Sequence, residues 1–216
     1  MKIKWNGHAS FTITTSAGVK IITDPYEPGG FGGGIKYEPI PDQADIALVS
    51  HEHADHNYVQ GLKGKPVVVR DSKEVKGIKF EAIPSFHDTS KGAERGRNNL
   101  FCFDADGIRV AHLGDLGHIL DDVQIKKLGK VDVLLTPVGG FFTIDAKQSA
   151  ELVRKINPRI VIPMHFKTDK VDFPIQPVDG FLNLFTKVKK LDKSEVEISK
   201  ASLPASTEVW VLQFVS

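Results

Sequence analysis

Short apolar runs rich in β-branched residues alternate with glycine, proline and polar residues along the chain. Such runs, bounded by turn residues, predict β-strands. The predicted strands are 11–15, 19–23, 46–49, 66–69 and 78–83 in the first half, and 100–103, 108–113, 131–136, 160–162 and 209–214 in the second. We therefore expect a chain that is rich in β-sheet.

Helical patterns are fewer. Asp145 is a predicted N-cap with Gln148 as its capping-box partner, and the apolar residues at 146, 150, 153 and 156 share one face. This helix is expected to end before Asn157-Pro158. Weaker patterns predict helices over 55–62, 121–128 and 178–187.

Many strands with few helices, repeated in both halves, favour an α/β fold in which sheet packs on sheet and helices lie outside. Gly107 is a plausible midpoint of the two β-rich halves. The sequence shows neither a residue-level repeat nor a linker that would separate domains, so we expect one domain over residues 1–216.

The segment 26–42 is rich in glycine and proline, with five glycines among positions 29–34, and predicts a long mobile loop. It is not a phosphate-binding P-loop, because no Gly-Lys-Ser/Thr follows and no helix is predicted to begin there. We interpret it as a flexible lip of a functional site. A surface loop without a functional role is the alternative.

Composition narrows the function classes. Hydrophobic residues make up 41% and charged residues 25%, which is ordinary for a protein with a core, and the net charge of +1 argues against a nucleic-acid partner. The lone cysteine, Cys102, lies in an apolar run and is expected to be a small core residue. We see no signal peptide and no membrane-spanning run, so we expect no membrane association and a cytoplasmic location.

The strongest chemical signal is the run from Ser50 to His56, Ser-His-Glu-His-Ala-Asp-His, which directly follows the apolar strand. Imidazole and carboxylate groups suit zinc, iron, manganese and nickel. In an extended segment His51 and His53 point the same way and can reach one ion. A turn into the next helix would direct Asp55 and His56 towards a second ion. The alternative is a solvated histidine-rich turn.

Four other polar residues each end an apolar strand: Asp24, His87, Asp115 and His165. Ligands at strand ends can converge on one rim while the strands stay rigid. Any one of them alone is more often a turn residue or a hydrogen-bonded core group. The repeated placement favours a functional role for His87, Asp115 and His165.

These motifs together resemble the metallo-β-lactamase superfamily. The matching pieces are Trp5–Phe11, Thr23-Asp24-Pro25, His51–His56, His112–Asp115 and Pro163-Met164-His165. The chain is most similar to the intracellular branch that contains the L-ascorbate-6-phosphate lactonase-like hydrolases and uncharacterised metal-dependent hydrolases. This resemblance implies a four-layer αββα sandwich with the site at one edge between the sheets.

The resemblance also implies a ligand set for two divalent metal ions. His51, His53 and His87 would hold the first ion; Asp55, His56 and His165 the second; and Asp115 would bridge them. Asp24 would orient this ligand loop through hydrogen bonds. His8 either faces the site or is structural. His112 is expected to support the site or the core, and the role of His118 stays open.

Two such ions, with zinc expected first and manganese, iron or nickel possible, lower the pKa of a shared water towards about 7. We therefore expect a hydrolase that uses a metal-bound hydroxide on an ester, lactone or phosphodiester, with Asp55 as a catalytic proton carrier. The alternatives are a phosphodiesterase acting on a nucleotide or lipid, and a non-catalytic metal-binding scaffold or sensor. Asp115 stands where β-lactam-hydrolysing enzymes of this fold commonly carry cysteine, which argues against antibiotic hydrolysis.

Loops would select a small-molecule substrate. Three cationic residues after His87, namely Lys91, Arg95 and Arg97, would receive an anionic group, unless they form a solvated charged loop. Three phenylalanines, Phe141, Phe142 and Phe173, would wall an apolar pocket, unless they belong to the core. The substrate, the metal and the oligomeric state are left open by the sequence.

Overall fold

The apolar runs form two β-sheets in this computed structural model, which describes residues 1–215. The strands are β1 (Lys2–Gly7), β2 (Ser10–Thr14), β3 (Lys20–Thr23), β4 (Gln43–Leu48), β5 (Lys63–Val69), β6 (Lys73–Val75), β7 (Ile78–Phe86), β8 (Arg97–Ala105), β9 (Ile108–His112), β10 (Val133–Pro137), β11 (Ile160–Met164), β12 (Val188–Lys190), β13 (Glu195–Glu197) and β14 (Glu208–Val211). The strands predicted from the sequence all correspond to members of this set, with shifted ends.

The first sheet has six strands in the order β13-β1-β2-β3-β4-β5, and the second has eight in the order β12-β14-β11-β10-β9-β8-β7-β6. In the first sheet β3, β4 and β5 run parallel, and in the second β9, β10, β11, β14 and β12 do. The chain passes from the first sheet to the second between β5 and β6, and later only β13 returns to the first sheet. Gly107, the expected midpoint, instead lies in the tight turn between β8 and β9 within the second sheet.

Four α-helices are present in the described part of the chain: α1 (Gly30–Gly33), α2 (Asp122–Leu128), α3 (Ala146–Ile156) and α4 (Asp179–Leu182). The predicted helix at 145–156 is confirmed, because Asp145 caps α3 and forms the capping box with Gln148. The helix predicted over 121–128 is confirmed as α2 in the same way, with Asp121 as its cap. No described helix has the length and hydropathy needed to span a bilayer.

Two helix predictions are wrong. The segment 55–62 contains only a 3₁₀ turn, Val59–Gly61, because its backbone bonds elsewhere: the Tyr58 N–H donates to the Pro25 carbonyl at 2.8 Å. The segment 178–187 is helical only in α4. Beyond Leu182 the chain continues in single turns, such as the 3.1 Å bond from Phe185 N to the Leu182 carbonyl.

The main core lies between the sheets and contains the fully buried rings of Phe11, Phe80, Phe101 and Phe103. Cys102 is fully buried in this core, which confirms the sequence interpretation. A second apolar cluster covers the other face of the first sheet and takes four of its ten buried side chains from the glycine-rich segment 26–42. That segment contains the short α1, which the sequence did not predict, and it is packed at Tyr26, Ile35 and Tyr37.

Candidate metal centre

The polar residues that follow the strands lie together at one edge of the sheets. Asp24 follows β3, His87 follows β7, and His165 follows β11; Asp115 follows β9 after Leu113 and Gly114. Three of these residues contact one another, since Asp115 Oδ2 lies 3.1 Å from His87 Nε2 and 3.2 Å from His165 Nε2. The convergence expected from their strand-end positions is therefore present.

The histidine-rich segment 51–56 follows β4 as a series of bends and a turn. The expectation of an extended segment leading into a helix is wrong, because the His56 N–H donates to the His53 carbonyl at 2.9 Å and closes a turn. The rings of His51 and His53 still meet, with His51 Nε2 and His53 Nδ1 3.1 Å apart. The two rings use different nitrogens, Nε2 and Nδ1, which the expected alternation of side chains along a strand did not predict.

Two groups of donor atoms result. In the first, ring nitrogens of His51, His53 and His87 lie within 4.8 Å of one another. In the second, atoms of His8, Asp55, His56 and His165 do so. His51 and His56 also form such a group with Asp115, whose carboxylate lies between the two sets. Asp115 Oδ1 is 3.2 Å from His56 Nε2, while its Oδ2 contacts one histidine of each set, His87 and His165.

Asp24 orients two of these histidines from behind. Its Oδ2 accepts from His56 Nδ1 at 2.9 Å and from the Ser50 hydroxyl at 2.7 Å, and its Oδ1 accepts from the Ser50 N–H at 2.7 Å. The Ser50 hydroxyl in turn lies 2.9 Å from His51 Nδ1. With their Nδ1 protons held in this way, His51 and His56 present Nε2 lone pairs to the centre.

His8 is part of the centre. Its side chain is fully buried, its Nε2 lies 3.2 Å from Asp55 Oδ2, and its ring centroid is 4.1 Å from that of His165. The His8 carbonyl also accepts from the His165 N–H at 3.1 Å. Because His8 follows a strand of the first sheet and His165 one of the second, this contact joins the two sheets at the site.

Tight backbone turns place several of these side chains. His8, Asp24 and His165 have φ values of 51°, 38° and 50°, in the left-handed region that few non-glycine residues occupy. Gly114, with φ 52°, allows a close approach of the chain, since a Cβ there would lie 2.4 Å from Asn98 Oδ1. Asn98 Oδ1 accepts from the Asp115 N–H at 3.0 Å and so fixes the central carboxylate.

The donor atoms fit divalent metal ions. Among residues 1–215, every buried side-chain nitrogen or oxygen without a hydrogen-bond partner belongs to this centre: His8 Nδ1, Asp55 Oδ1, His56 Nε2, His87 Nδ1, Asp115 Oδ1 and His165 Nδ1. Buried polar atoms are normally satisfied, so a cluster of unsatisfied atoms indicates a missing partner. The mixture of imidazole nitrogens and carboxylate oxygens is what zinc and related ions prefer.

Burial and neighbouring charges lower the pKa of some of these histidines and raise the pKa of others. Burial and the neighbouring His56 lower the pKa of His51 to about 3, and burial and His165 lower that of His8 to about 4. For His56, burial is outweighed by Asp115, Asp55 and Asp24, which raise its pKa well above the usual value. Asp115 outweighs burial in the same way and raises the pKa of His87. The carboxylates of the centre therefore favour the protonated forms of His56 and His87.

The carboxylates are ionised for the complementary reason. Burial raises the pKa of Asp115, but His165, His56 and His87 outweigh it and hold the pKa well below the usual range. The pKa of Asp55 is lowered against burial by His56 and His8. Two buried negative charges thus lie side by side, an arrangement that a pair of cations would stabilise.

The two remaining histidines support the structure around the centre. His112 Nε2 donates to the Ala9 carbonyl at 3.0 Å and its Nδ1 accepts from the Gly114 N–H at 3.1 Å. His118 Nε2 accepts from the Phe86 N–H at 3.2 Å, next to His87. Neither is a member of a donor group in the described chain.

A cavity of about 400 Å³ opens above the centre. His53, Asp55, His87, Asp115 and His165 form its floor, and Phe31, Phe142, Phe173, Arg95, Glu52 and Ala54 complete its lining. An adjoining cavity of about 320 Å³ shares Glu52, His53 and Arg95 and adds Arg70 and Arg97. Lys91 is exposed and lines neither cavity, and Phe141 is 63% exposed.

Comparison with known proteins identifies the family of the chain. The family model described as "Beta-lactamase superfamily domain" matches residues 2–165. A UPF0173 metal-dependent hydrolase of Pyrococcus abyssi is 32% identical over 196 residues, covering 78% of this chain and 85% of that relative. A relative of the same description from Thermococcus onnurineus is 30% identical over 195 residues, with the same coverage.

Solved structures agree in fold. The crystal structure of a candidate Zn-dependent hydrolase of the metallo-β-lactamase superfamily from Thermotoga maritima is 36% identical, covers 99% of each chain and superposes with a TM-score of 0.81. Igni18, a metallo hydrolase from Ignicoccus hospitalis, covers 98% of this chain and 94% of its own at 20% identity, with a TM-score of 0.65. The chain belongs to the β-lactamase superfamily, and the predicted α/β fold of metallo-β-lactamase type is confirmed.

Proposed function

We propose that this chain is a hydrolase that binds two divalent metal ions, zinc being the first expectation, and cleaves an ester, lactone or phosphodiester bond in a small anionic molecule. The observation that carries the proposal is the pair of donor groups around Asp115 on the floor of an open cavity. The relatives described as metal-dependent hydrolases support it.

The donor geometry suggests one ligand set. His51 Nε2, His53 Nδ1 and His87 Nε2 would hold the first ion, and Asp55, His56 Nε2 and His165 Nε2 the second. Asp115, which contacts histidines of both sets, would bridge the two ions. In this proposal His8 is a positioning residue: its Nε2 holds Asp55 Oδ2 at 3.2 Å and thereby fixes which oxygen faces the ion.

When bound, two such ions would lower the pKa of a shared water and polarise the carbonyl or phosphoryl oxygen of the substrate. The chain's own residues supply position and proton handling. Asp55 Oδ1 has no hydrogen-bond partner in the described chain and would face the ion, so the atom that would accept and return a proton is Oδ2, beside His8 Nε2.

Arg95 is the residue best placed to bind an anionic group. It lines both cavities, and among the described residues its guanidinium forms one ion pair, with Glu94 at 3.8 Å. Arg70, by contrast, is engaged by Glu52 at 2.8 Å and by Asn57 at 2.7 Å. Arg95 is therefore free to bind a carboxylate or phosphate of the substrate.

A non-catalytic metal site is disfavoured by the same cavity. Structural zinc sites are closed by four protein ligands, whereas catalytic sites keep a position open to substrate. Here the side chains of His53 and Asp115 line the cavity directly. The buried lone thiol of Cys102 suits a reducing compartment, which supports a cytoplasmic location as part of the proposal.

Metal content and turnover test the proposal together. We expect two ions per chain after dialysis against zinc, fewer in His53→Ala and Asp115→Ala, and an unchanged count in the control His118→Gln, which lies outside the donor groups. Turnover of p-nitrophenyl esters, simple lactones and bis(p-nitrophenyl) phosphate should disappear with the metal. Wild-type turnover in both metal-site variants, or an inactive zinc-loaded protein on all three bond classes, would contradict the proposal.

A further inference from the structure

The cavity above the centre has an aromatic wall that metal chemistry does not require. The ring centroid of Phe173 lies 5.6 Å from that of Phe31 and 5.9 Å from that of Phe142, and both contacts are edge-to-face. All three rings line the cavity. Phe31 is 56% exposed, so an apolar face is left open to solvent beside the donor groups.

Backbone contacts hold the three segments that carry these rings. The Asp172 N–H donates to the Gly34 carbonyl at 2.7 Å, which ties the segment of Phe31 to that of Phe173. The Gln176 N–H donates to the Gly139 carbonyl at 2.8 Å, which ties the segment of Phe173 to that of Phe142. The wall is therefore a built surface, and a ligand that uses it does not have to order three separate loops.

The aromatic wall offers little to a polar ligand. Apart from the residues of the donor groups, the polar side chains in the lining are Glu52 and Arg95. The Arg95 guanidinium carbon lies 5.8 Å from the centroid of Phe142, at the rim of the wall. Hydroxyl groups of a sugar placed against the three phenylalanines would be desolvated without hydrogen-bond partners, which is costly.

We propose that Phe31, Phe142 and Phe173 form a subsite for an apolar acyl or aryl group attached directly to the scissile bond. This inference rests on the proposed hydrolase function and names its substrate class. At roughly 30 Å³ for each non-hydrogen atom, the cavity of about 400 Å³ holds roughly a dozen such atoms. A medium-length acyl or aryl ester or lactone with an anionic group at Arg95 fits that space, and a polyhydroxylated sugar phosphate does not fit its chemistry.

Chain-length dependence of a metal-directed inhibitor tests the subsite without requiring turnover. Acetohydroxamate and hexanohydroxamate share the same chelating group and differ by four methylenes. Each methylene removed from water favours binding by roughly fourfold. Because part of the chain stays exposed, we expect zinc-loaded protein to bind the longer ligand at least tenfold more tightly in isothermal titration calorimetry.

Alanine variants then locate the effect. Phe142→Ala and the exposed Phe31→Ala should each lower the preference for hexanohydroxamate at least threefold while leaving acetohydroxamate affinity within twofold of wild type. Phe185→Ala, a half-buried phenylalanine that does not line the cavity, is the matched control and should keep the full preference. Because Phe31 is exposed, its variant remains informative if Phe142→Ala does not fold.

Equal affinity of wild type for the two hydroxamates, or an undiminished preference in Phe31→Ala and Phe142→Ala, would overturn the subsite. Among p-nitrophenyl esters, kcat/KM should rise with acyl chain length from the acetate to the hexanoate, as the affinity for the hydroxamates does. A protein that prefers the longer hydroxamate but hydrolyses no ester, lactone or phosphodiester contradicts the proposed function and leaves the subsite standing. The two failures are therefore distinguishable.

Discussion

Asp24 offers the sharpest test of how this centre is held, because one carboxylate serves ligands of both proposed ions. Its two oxygens accept from the Ser50 N–H, the Ser50 hydroxyl and His56 Nδ1. Asp24→Asn keeps the shape of the side chain but removes the charge and turns an NH₂ group towards one or more of these donors. His56 loses the partner that fixes its ring, and His51 loses the same support through Ser50.

The expected size follows from comparable sites. Removing a group that orients a metal ligand typically lowers metal affinity by roughly 10- to 100-fold, about 1.4–2.8 kcal/mol. Since Asp24 orients two ligands, we expect a loss near the upper end, about 100-fold. The measurement is zinc affinity by competition with a chromophoric chelator, alongside thermal unfolding of the metal-free protein.

Asp132→Asn is the matched control, because Asp132 is also a buried carboxylate but accepts from the Arg109 N–H and Lys200 Nζ away from the centre. It should lower stability without changing zinc affinity. A folded Asp24→Asn protein that binds zinc within threefold of wild type would refute the reasoning. Equal losses of affinity in both variants would show a general effect of destabilisation instead.

Three further predictions concern other groups. Asp88 accepts hydrogen bonds from four backbone N–H groups between residues 90 and 95, which outweigh burial and lower its pKa to about 2. Asp88→Asn should therefore speed amide hydrogen exchange in that loop at least tenfold. Unchanged protection of these amides would contradict this prediction. The raised pKa values of His56 and His87 favour protons on both rings below neutral pH, so zinc affinity should fall as the pH decreases. Calorimetry of zinc binding at pH 6.5 in two buffers should detect the release of these protons. Binding heats that do not depend on the buffer would contradict this prediction. Burial raises the pKa of the Cys102 thiol to about 12, so a thiol-specific dye should react only after unfolding in guanidinium, and fast labelling of native protein would be inconsistent with its burial.

Much of the sheet structure was predictable because most strands here are continuous apolar runs. The strands that were missed are β1, β6, β12 and β13. In β1, lysines alternate with Ile3 and Trp5, and in β13 a single buried Val196 lies between two glutamates. Such short or alternating segments become strands because a neighbouring edge accepts their backbone groups, which is a tertiary effect that local pattern does not contain.

The clustering of the candidate donor residues was predictable from spacing and from strand ends, and Asp24 as their orienting carboxylate from the family resemblance, whereas two further supports were not. Ser50 and Asn98 are polar residues without a motif of their own, and each acts through one or two hydrogen bonds to a residue distant in sequence. The place of His8 depends on a left-handed turn after β1 that brings its ring against Asp55. The conformation of 51–56 was predicted wrongly because this segment forms bends and a hydrogen-bonded turn, whereas the pattern favoured an extended segment that leads into a helix.

β1 pairs with β13, with Ile3 opposite Val196, so the two paired strands are separated along the sequence by nearly the whole described chain. During synthesis the first strand leaves the ribosome long before its partner exists, so its outer backbone groups remain unpaired until that partner arrives. His8 lies in the turn between β1 and β2, and its contacts with Asp55 and His165 likewise wait for later parts of the chain. Cation binding at the proposed centre would then follow assembly of the two sheets, because both donor groups draw on strands from both sheets.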